Sequence, residues 1–430
     1  MSKANARISL GDVNIKIMDR GKAHDTVAQV YLNLLPSPQQ VLECEVQGML
    51  SFNDRAPSIT LLQYHTDLEV MCISWQYKEG VSKLTFTPKT EPCTVVKQEG
   101  KRLQIVTFDV LNFPSFIGQQ DITEECTTER GGAGVRRRGR VELEADGWRI
   151  EVTAVPDLKE IVDALKGQGG YAVTHKGNLK RSDGETFSIE DAENAMNRLW
   201  QFLSFARGQY CSPILPVGFN CDGEVVWRQW GCRTVESWGE PLSWFDRQHA
   251  EALGEVFPGF WNCLNGVTHA AAARIALEWY LRSNRNNGDQ AGGLILSQTA
   301  LERLADVHGL KKKRGESVAM PIRQLMNKIG IPPELPGGFS VLKEVLRALT
   351  TKDGGGPEAL VAVRNDLVHP KEKLAEISGL KEYEAWNLAQ WYLELILLNM
   401  FGFKGKYGNR TLEGRWTGQV ESIPWAPKSD

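Results

Sequence analysis

Apolar and polar residues alternate through most of the first 155 positions. Arg7–Leu10 and Val13–Ile17 place every second side chain on one face, and similar runs recur at 27–34, 41–50, 60–64, 68–77, 82–87 and 103–110, with Gly, Pro, Asn and Asp between them. A period of two broken by turn formers is the pattern of antiparallel strands. Many such strands in series predict a β-rich domain over residues 1–155, a sandwich or barrel-like fold. Two further alternating runs, 141–144 and 148–152, flank Asp146 and Gly147. That dipeptide predicts a tight hairpin turn.

Residues 156–262 read as a mixed α/β connecting region. An amphipathic helix begins near Pro156 and should end at Gly167, and residues 171–175 read as a strand. Ser188 followed by Asp191 opens a second helix with a capping-box start, and Ala195, Leu199, Phe202 and Leu203 form its apolar face. Residues 214–219 and 225–230 predict a hairpin around Asp222 and Gly223. From about residue 263 the period changes to that of helices, over 269–284, 294–310, 317–329, 339–349, 358–367 and 383–401. The expected fold class is therefore α+β, with an all-α helical bundle over 263–430. The tryptophan-bearing tail after Gly402 carries no assignable pattern.

Charge narrows the function classes. Fifty basic residues stand against 53 acidic ones, a net charge of -3, which excludes a polybasic nucleic-acid coat. Two local basic groups remain. Arg136, Arg137 and Arg138 lie in a glycine-rich stretch that reads as a flexible loop, and Lys311, Lys312 and Lys313 follow a helix. Each is a candidate RNA contact, with a solvated loop and a helix-end charge complement as the respective alternatives. None of the eight cysteines forms a C-x-x-C pair or a zinc-like cluster, which points to reduced thiols in a cytoplasmic protein with neither metal nor cofactor. His175, in a strand, reads as a packed histidine more readily than as a ligand. The beginning of the chain does not read as a secretory signal. The apolar run 391–403 is interrupted by Glu394 and Asn399 and falls short of the roughly 20 residues that span a bilayer, so no membrane association is expected.

One short segment carries chemistry. Arg364, Asn365 and His369 stand at the end of a short helix, with Pro370 after them. Asn365 and His369 share a helix face, so the amide could orient the imidazole. Pro370 disfavours helical geometry at His369 and should free its ring. Histidine can move a proton at neutral pH, and arginine is a permanent cation that grips phosphate oxygens. Cleaving RNA without a metal needs those parts, and a two-fold dimer would supply two of each. A second pair with the same spacing, Arg303 and His308, continues an apolar helical stripe and reads as structural.

The stretch Arg364–His369 resembles the R-x4-6-H motif of HEPN domains, including the polar residue after the arginine. The segment 296–304 is similar to the second helix of such bundles. A β-rich domain followed by residues 174–184 and 199–208 is similar to ApeA-type proteins, bacterial HEPN proteins linked to abortive infection. The resemblance implies a metal-independent endoribonuclease aimed at RNA, tRNA in many cases, acting as a homodimer in anti-phage defence. It implies catalytic roles for Arg364 and His369, a supporting role for Asn365, and a phage or host trigger sensed by the N-terminal domain. The alternative is a HEPN module that binds RNA, nucleotide or protein without cutting.

Overall fold

The computed structural model describes residues 3–19, 21–50, 58–118, 120–124, 135–285, 289–349, 354–369 and 379–427. The chain divides into two compact units, each drawn from three stretches: 1–115, 147–201 and 211–239 form the first, and 116–146, 202–210 and 240–430 the second. The fold class is α+β, with strands concentrated towards the N-terminus and helices towards the C-terminus.

In the first unit, β1 (Ile8–Asp19), β2 (Lys22–Asn33), β3 (Gln39–Gln47), β4 (Ser58–Leu61), β5 (Thr66–Lys78) and β6 (Val81–Pro88) close into a barrel in the order β1-β2-β3-β6-β5-β4. The alternation explains the closure. Val13, Ile15 and Ile17 of β1, Ala28 and Val30 of β2, and Leu84 and Phe86 of β6 all point inward and are buried together. The two runs expected at 7–10 and 13–17 are one strand. A register shift between Ser9 and Gly11, where Gly11 has φ 97°, resets the alternation between them.

The chain continues through β7 (Cys93–Lys97) and β8 (Ile105–Leu111), then β9 (Gln120–Glu124) and β10 (Val135–Ala145) of the second unit, and returns with β11 (Trp148–Ala154), α1 (Leu158–Gln168), β12 (Val173–Arg181), α2 (Ile189–Arg207), β13 (Ser212–Phe219) and β14 (Val225–Trp230). Within the first unit β7-β14-β13-β8-β12-β11 lie side by side, each antiparallel to the next. Helix α1 buries Ile161 and Leu165 against Leu111 and Val173. It runs through Gly167, where an end was expected, and stops at Gly169, whose φ of 67° a helix cannot continue. Asp146 and Gly147 have φ of 51° and 73°, the paired left-handed geometry of a type I′ turn. At the start of α2, Ser188 Oγ accepts from Asp191 N at 3.0 Å and Asp191 Oδ2 accepts from Ser188 N at 3.1 Å, the reciprocal box that the spacing predicts.

The second unit carries α3 (Glu251–Asn265), α4 (Ala270–Ser283), α5 (Gln290–Val307), α6 (Ala319–Ile329), α7 (Ser340–Ala348), α8 (Gly356–Val368) and α9 (Gly379–Met400), then the two-residue strands β15 (Lys406–Tyr407) and β16 (Glu421–Ser422). Helix α9 is buried on nearly every side, polar Gln390 and Glu394 included. It is the core of a bundle rather than a surface helix. Aromatic rings fill the space beside it: Phe205 meets Trp244 at 5.3 Å and Phe401 at 5.5 Å between centroids, and Phe202 meets Phe257 at 4.9 Å. Among the described residues no helix is long and apolar enough to cross a membrane.

Candidate functional site

Helix α8 positions the Arg364 segment, and its N-terminal end is anchored firmly. Glu358 accepts from Gly355 N at 2.9 Å and forms a two-pronged ion pair with Arg323 of α6, whose Nε donates to Glu358 Oε1 at 2.8 Å. Burial pushes the Glu358 carboxyl up, but the Arg323 hydrogen bond, the Gly355 N–H and the Arg323 charge together outweigh it and hold it below the usual carboxylate range. Ala359, Leu360, Val361 and Val363 pack inward. That leaves Arg364 half-buried at the edge and Asn365, Asp366 and His369 exposed.

The helix ends where the proline rule predicts. His369 is its C-cap, with φ -132° and ψ 67°, and its N–H donates to Asn365 O at 2.8 Å. Pro370 lies outside the described residues. The Asn365 amide does not meet the imidazole as expected; its Oδ1 accepts from Arg364 Nη1 at 3.3 Å, so it steadies the guanidinium instead. Asp366 pairs with Lys381 of α9 at 2.8 Å. Among the described residues the His369 ring has no hydrogen-bond partner and Arg364 has no carboxylate partner. A guanidinium held only by a neighbouring amide and an imidazole without a partner among the described residues, both at one helix end, can bind a phosphate and exchange a proton.

The second pair with the same spacing is placed differently. His308 is half-buried, its Nδ1 donates to Leu304 O at 2.7 Å, and its ring lies parallel to His269 at 5.3 Å. It caps α5 and packs, as the apolar stripe implies. His175 is fully buried against Phe113 and Thr174, and burial pushes its imidazole down to about 3, so it stays neutral.

The candidate RNA contacts separate. Arg136, Arg137 and Arg138, expected on a loop, stand in β10 opposite Thr123, Ile122 and Asp121 of β9. The strand that holds residues 141–144 extends N-terminally through them as a paired ladder, which a reading based on glycine content misses. The glycines at 131, 132 and 134 lie outside the described residues. Lys311, Lys312 and Lys313 are exposed. Helix α5 ends at Val307, before Gly309 with φ 79°, so these lysines follow the helix rather than close it.

The sequence reading missed a buried polar network around α9. Glu394 and Arg410 are fully buried and lie 3.6 Å apart. Tyr280 Oη donates to Glu394 Oε1 at 2.8 Å. Arg410 donates to Gln390 Oε1 at 3.2 Å, Leu242 O at 3.1 Å and Asn284 Oδ1 at 2.9 Å. Gln390 Nε2 in turn donates to Ser297 Oγ at 2.9 Å. Burial pushes the Glu394 carboxyl up, against the pull of Arg410 and Tyr280. Gln390 and Glu394, the charged or amide side chains within the apolar stretch 388–398, were the available signal.

Comparison with known proteins finds two family models along the chain. Residues 98–241 match the YopA central domain and residues 268–422 match the YopA C-terminal domain. The chain is 25% identical over 342 residues to the SPbeta prophage-derived uncharacterized protein YopA of Bacillus subtilis (strain 168), covering 75% of this chain and 72% of that protein. No solved structure matches.

Proposed function

We propose that the helical part of this chain is a metal-independent endoribonuclease of the HEPN type, acting on RNA, with tRNA as the first substrate to test. Arg364 binds the scissile phosphate and steadies the charge that builds on it. His369 moves the proton, as base towards the 2′-hydroxyl or as acid towards the departing 5′-oxygen. Asn365 positions the Arg364 guanidinium. A second copy of the chain supplies the complementary Arg364 and His369 in one cleft. The curated relative is named as prophage-derived. An RNA-cutting protein that stops translation when another phage enters the cell fits that setting, with the β-rich part as the sensor of the trigger.

The observation that carries this reading is the contrast between the two arginine–histidine pairs. The His308 ring is spent on a backbone carbonyl and a stacked neighbour, whereas among the described residues the His369 ring stands exposed and unengaged and Arg364 of the same helix has no carboxylate partner. The test is cleavage of total cellular RNA in EDTA by wild type, Arg364→Ala, His369→Ala and His308→Ala. Wild type and His308→Ala should cut. Arg364→Ala and His369→Ala should be slower by about 10²–10⁴-fold, the usual worth of a positioned acid or base. Equal behaviour of all four proteins would overturn the assignment.

A further inference from the structure

The run Lys311, Lys312 and Lys313 continues into Arg314, so four cations stand in series, all of them exposed. The backbone beneath them is fixed at both ends. Behind the run, Gly309 N donates to Asp306 O at 2.9 Å and Leu310 N to Ala305 O at 3.0 Å. Ahead of it, Glu316 N donates to Lys313 O at 3.1 Å, Lys313 N donates to Glu316 Oε2 at 3.0 Å, and Gly315 turns the chain with φ 84°. The side chains therefore project from a set backbone and not from a free linker. Among the described residues none of the four side chains has an ion-pair or hydrogen-bond partner.

Two plain roles for such a run do not apply. Cations at a helix end can answer its last carbonyls, but those of Leu304, Ala305 and Asp306 in α5 are already taken by the His308 ring and by backbone N–H groups. Surface cations can also pair with carboxylates. The one that follows the run, Glu316, is turned to the Lys313 backbone N–H and offsets one charge, which leaves an excess of three in a chain whose net charge is -3. Like charges in a row repel one another, and an incoming anion relieves that repulsion. The segment 303–316 exposes no large apolar side chain. It lacks the anchor that the core of a protein interface or an amphipathic membrane contact uses. A repeated anion gripped by charge alone is a nucleic-acid backbone, with one phosphate per nucleotide.

We propose that the loop Lys311–Arg314 binds the phosphate backbone of single-stranded RNA. Each ammonium neutralises a phosphate as a point charge and reads no base, so the contact does not depend on sequence. The choice of RNA rests on the ribonuclease reading, in which this loop holds the strand on which Arg364 and His369 act; all of these residues belong to the second unit.

The test measures binding without cleavage. A short fluorescent single-stranded RNA is titrated with the full chain carrying His369→Ala, by polarisation at a series of salt concentrations. The same titration is made with Lys311→Gln, Lys312→Gln and Lys313→Gln added together, and with Lys101→Gln, Lys159→Gln and Lys180→Gln added instead. The second set changes exposed lysines of the first unit and removes the same charge. Each phosphate contact on a single strand contributes about 0.7 to the fall of log K with log salt, so loss of the three loop lysines should make the slope shallower by about 2. The control set should leave the slope as it is. The loop variant should melt at the temperature of its parent, since its side chains are exposed and unpaired. An unchanged slope, an equal change in the control, or no RNA binding by the parent overturns the proposal. So does loop-dependent binding to phosphatidylserine vesicles with RNA binding unaffected. Cleavage by wild type in EDTA is scored separately. Cutting with an unaltered slope removes this proposal alone, and an altered slope in a chain that never cuts removes the ribonuclease reading alone.

Discussion

Removing Arg410 should cost far more than neutralising its partner Glu394. Arg410→Met deletes the donors to Asn284 Oδ1 and Gln390 Oε1, while Leu242 O keeps the Asn284 amide at 3.2 Å. Each stranded buried acceptor costs about 1–3 kcal/mol, which totals about 2–6 kcal/mol. Glu394→Gln leaves every one of those bonds in place and keeps an oxygen for Tyr280 Oη. It also relieves the burial of a carboxylate whose pKa is raised in the fold, so its cost should stay below about 1–2 kcal/mol. The pH dependence carries a second signature. A raised carboxyl pKa means the folded state holds the proton more tightly, so this group favours folding most below the ordinary carboxylate pKa. Its contribution declines as pH rises from there through the folded value. Glu394→Gln removes that decline. The assay is urea unfolding followed by tryptophan fluorescence at several pH values, comparing transition midpoints at constant slope. A Glu394→Gln variant as unstable as Arg410→Met would refute the reasoning, because charge attraction rather than matched hydrogen bonds would then dominate the network.

Two further outcomes are expected. His175 is neutral in the fold, with its pKa near 3 against the usual 6.5, so stability should fall as pH drops below 6.5, by about 1.4 kcal/mol per unit; His175→Gln should flatten that slope in acid unfolding curves between pH 6.5 and 4, and an unchanged slope would show that His175 is not its source. A Cβ at Gly259 of α3 would stand 1.7 Å from the Phe401 backbone oxygen, so Gly259→Ala should cost about 3 kcal/mol or more and lower the melting temperature by several degrees; a near-silent variant would mean that the approach of α3 to that carbonyl is not required.

Local patterns were readable along the chain, and distant pairings were not. The inward faces of β1 and β2, the box at Ser188 and the turn at Asp146 and Gly147 depend on residues a few positions apart, and the sequence reading names them. Helix α3 escaped it for a physical reason. Pro258 lies inside it, beside Gly254 and Gly259, and all three argue against a helix. The helix exists because Phe257, Phe260 and Trp261 are buried and Gly259 admits the Phe401 carbonyl. The position of Arg364 and His369 at the end of one helix was legible because their spacing is local. The network of Tyr280, Asn284, Gln390, Glu394 and Arg410 was not, since its members come from three separated stretches and Arg410 stands in a tail without periodicity.

The interleaving of the two units also sets an order of events during synthesis. Phe202 and Phe205 emerge from the ribosome with α2, but their ring partners Phe257, Trp244 and Phe401 follow later, Phe401 by about 200 residues. At about 5–20 residues per second, the Phe205 side chain waits on the order of 10–40 s for its last partner. Through that interval the first unit, complete at residue 239, can fold while the early pieces of the second stay exposed to solvent. The nascent chain therefore offers a long-lived apolar stretch to chaperones, and expression yield should respond to translation speed between codons 240 and 401 more than to any change upstream.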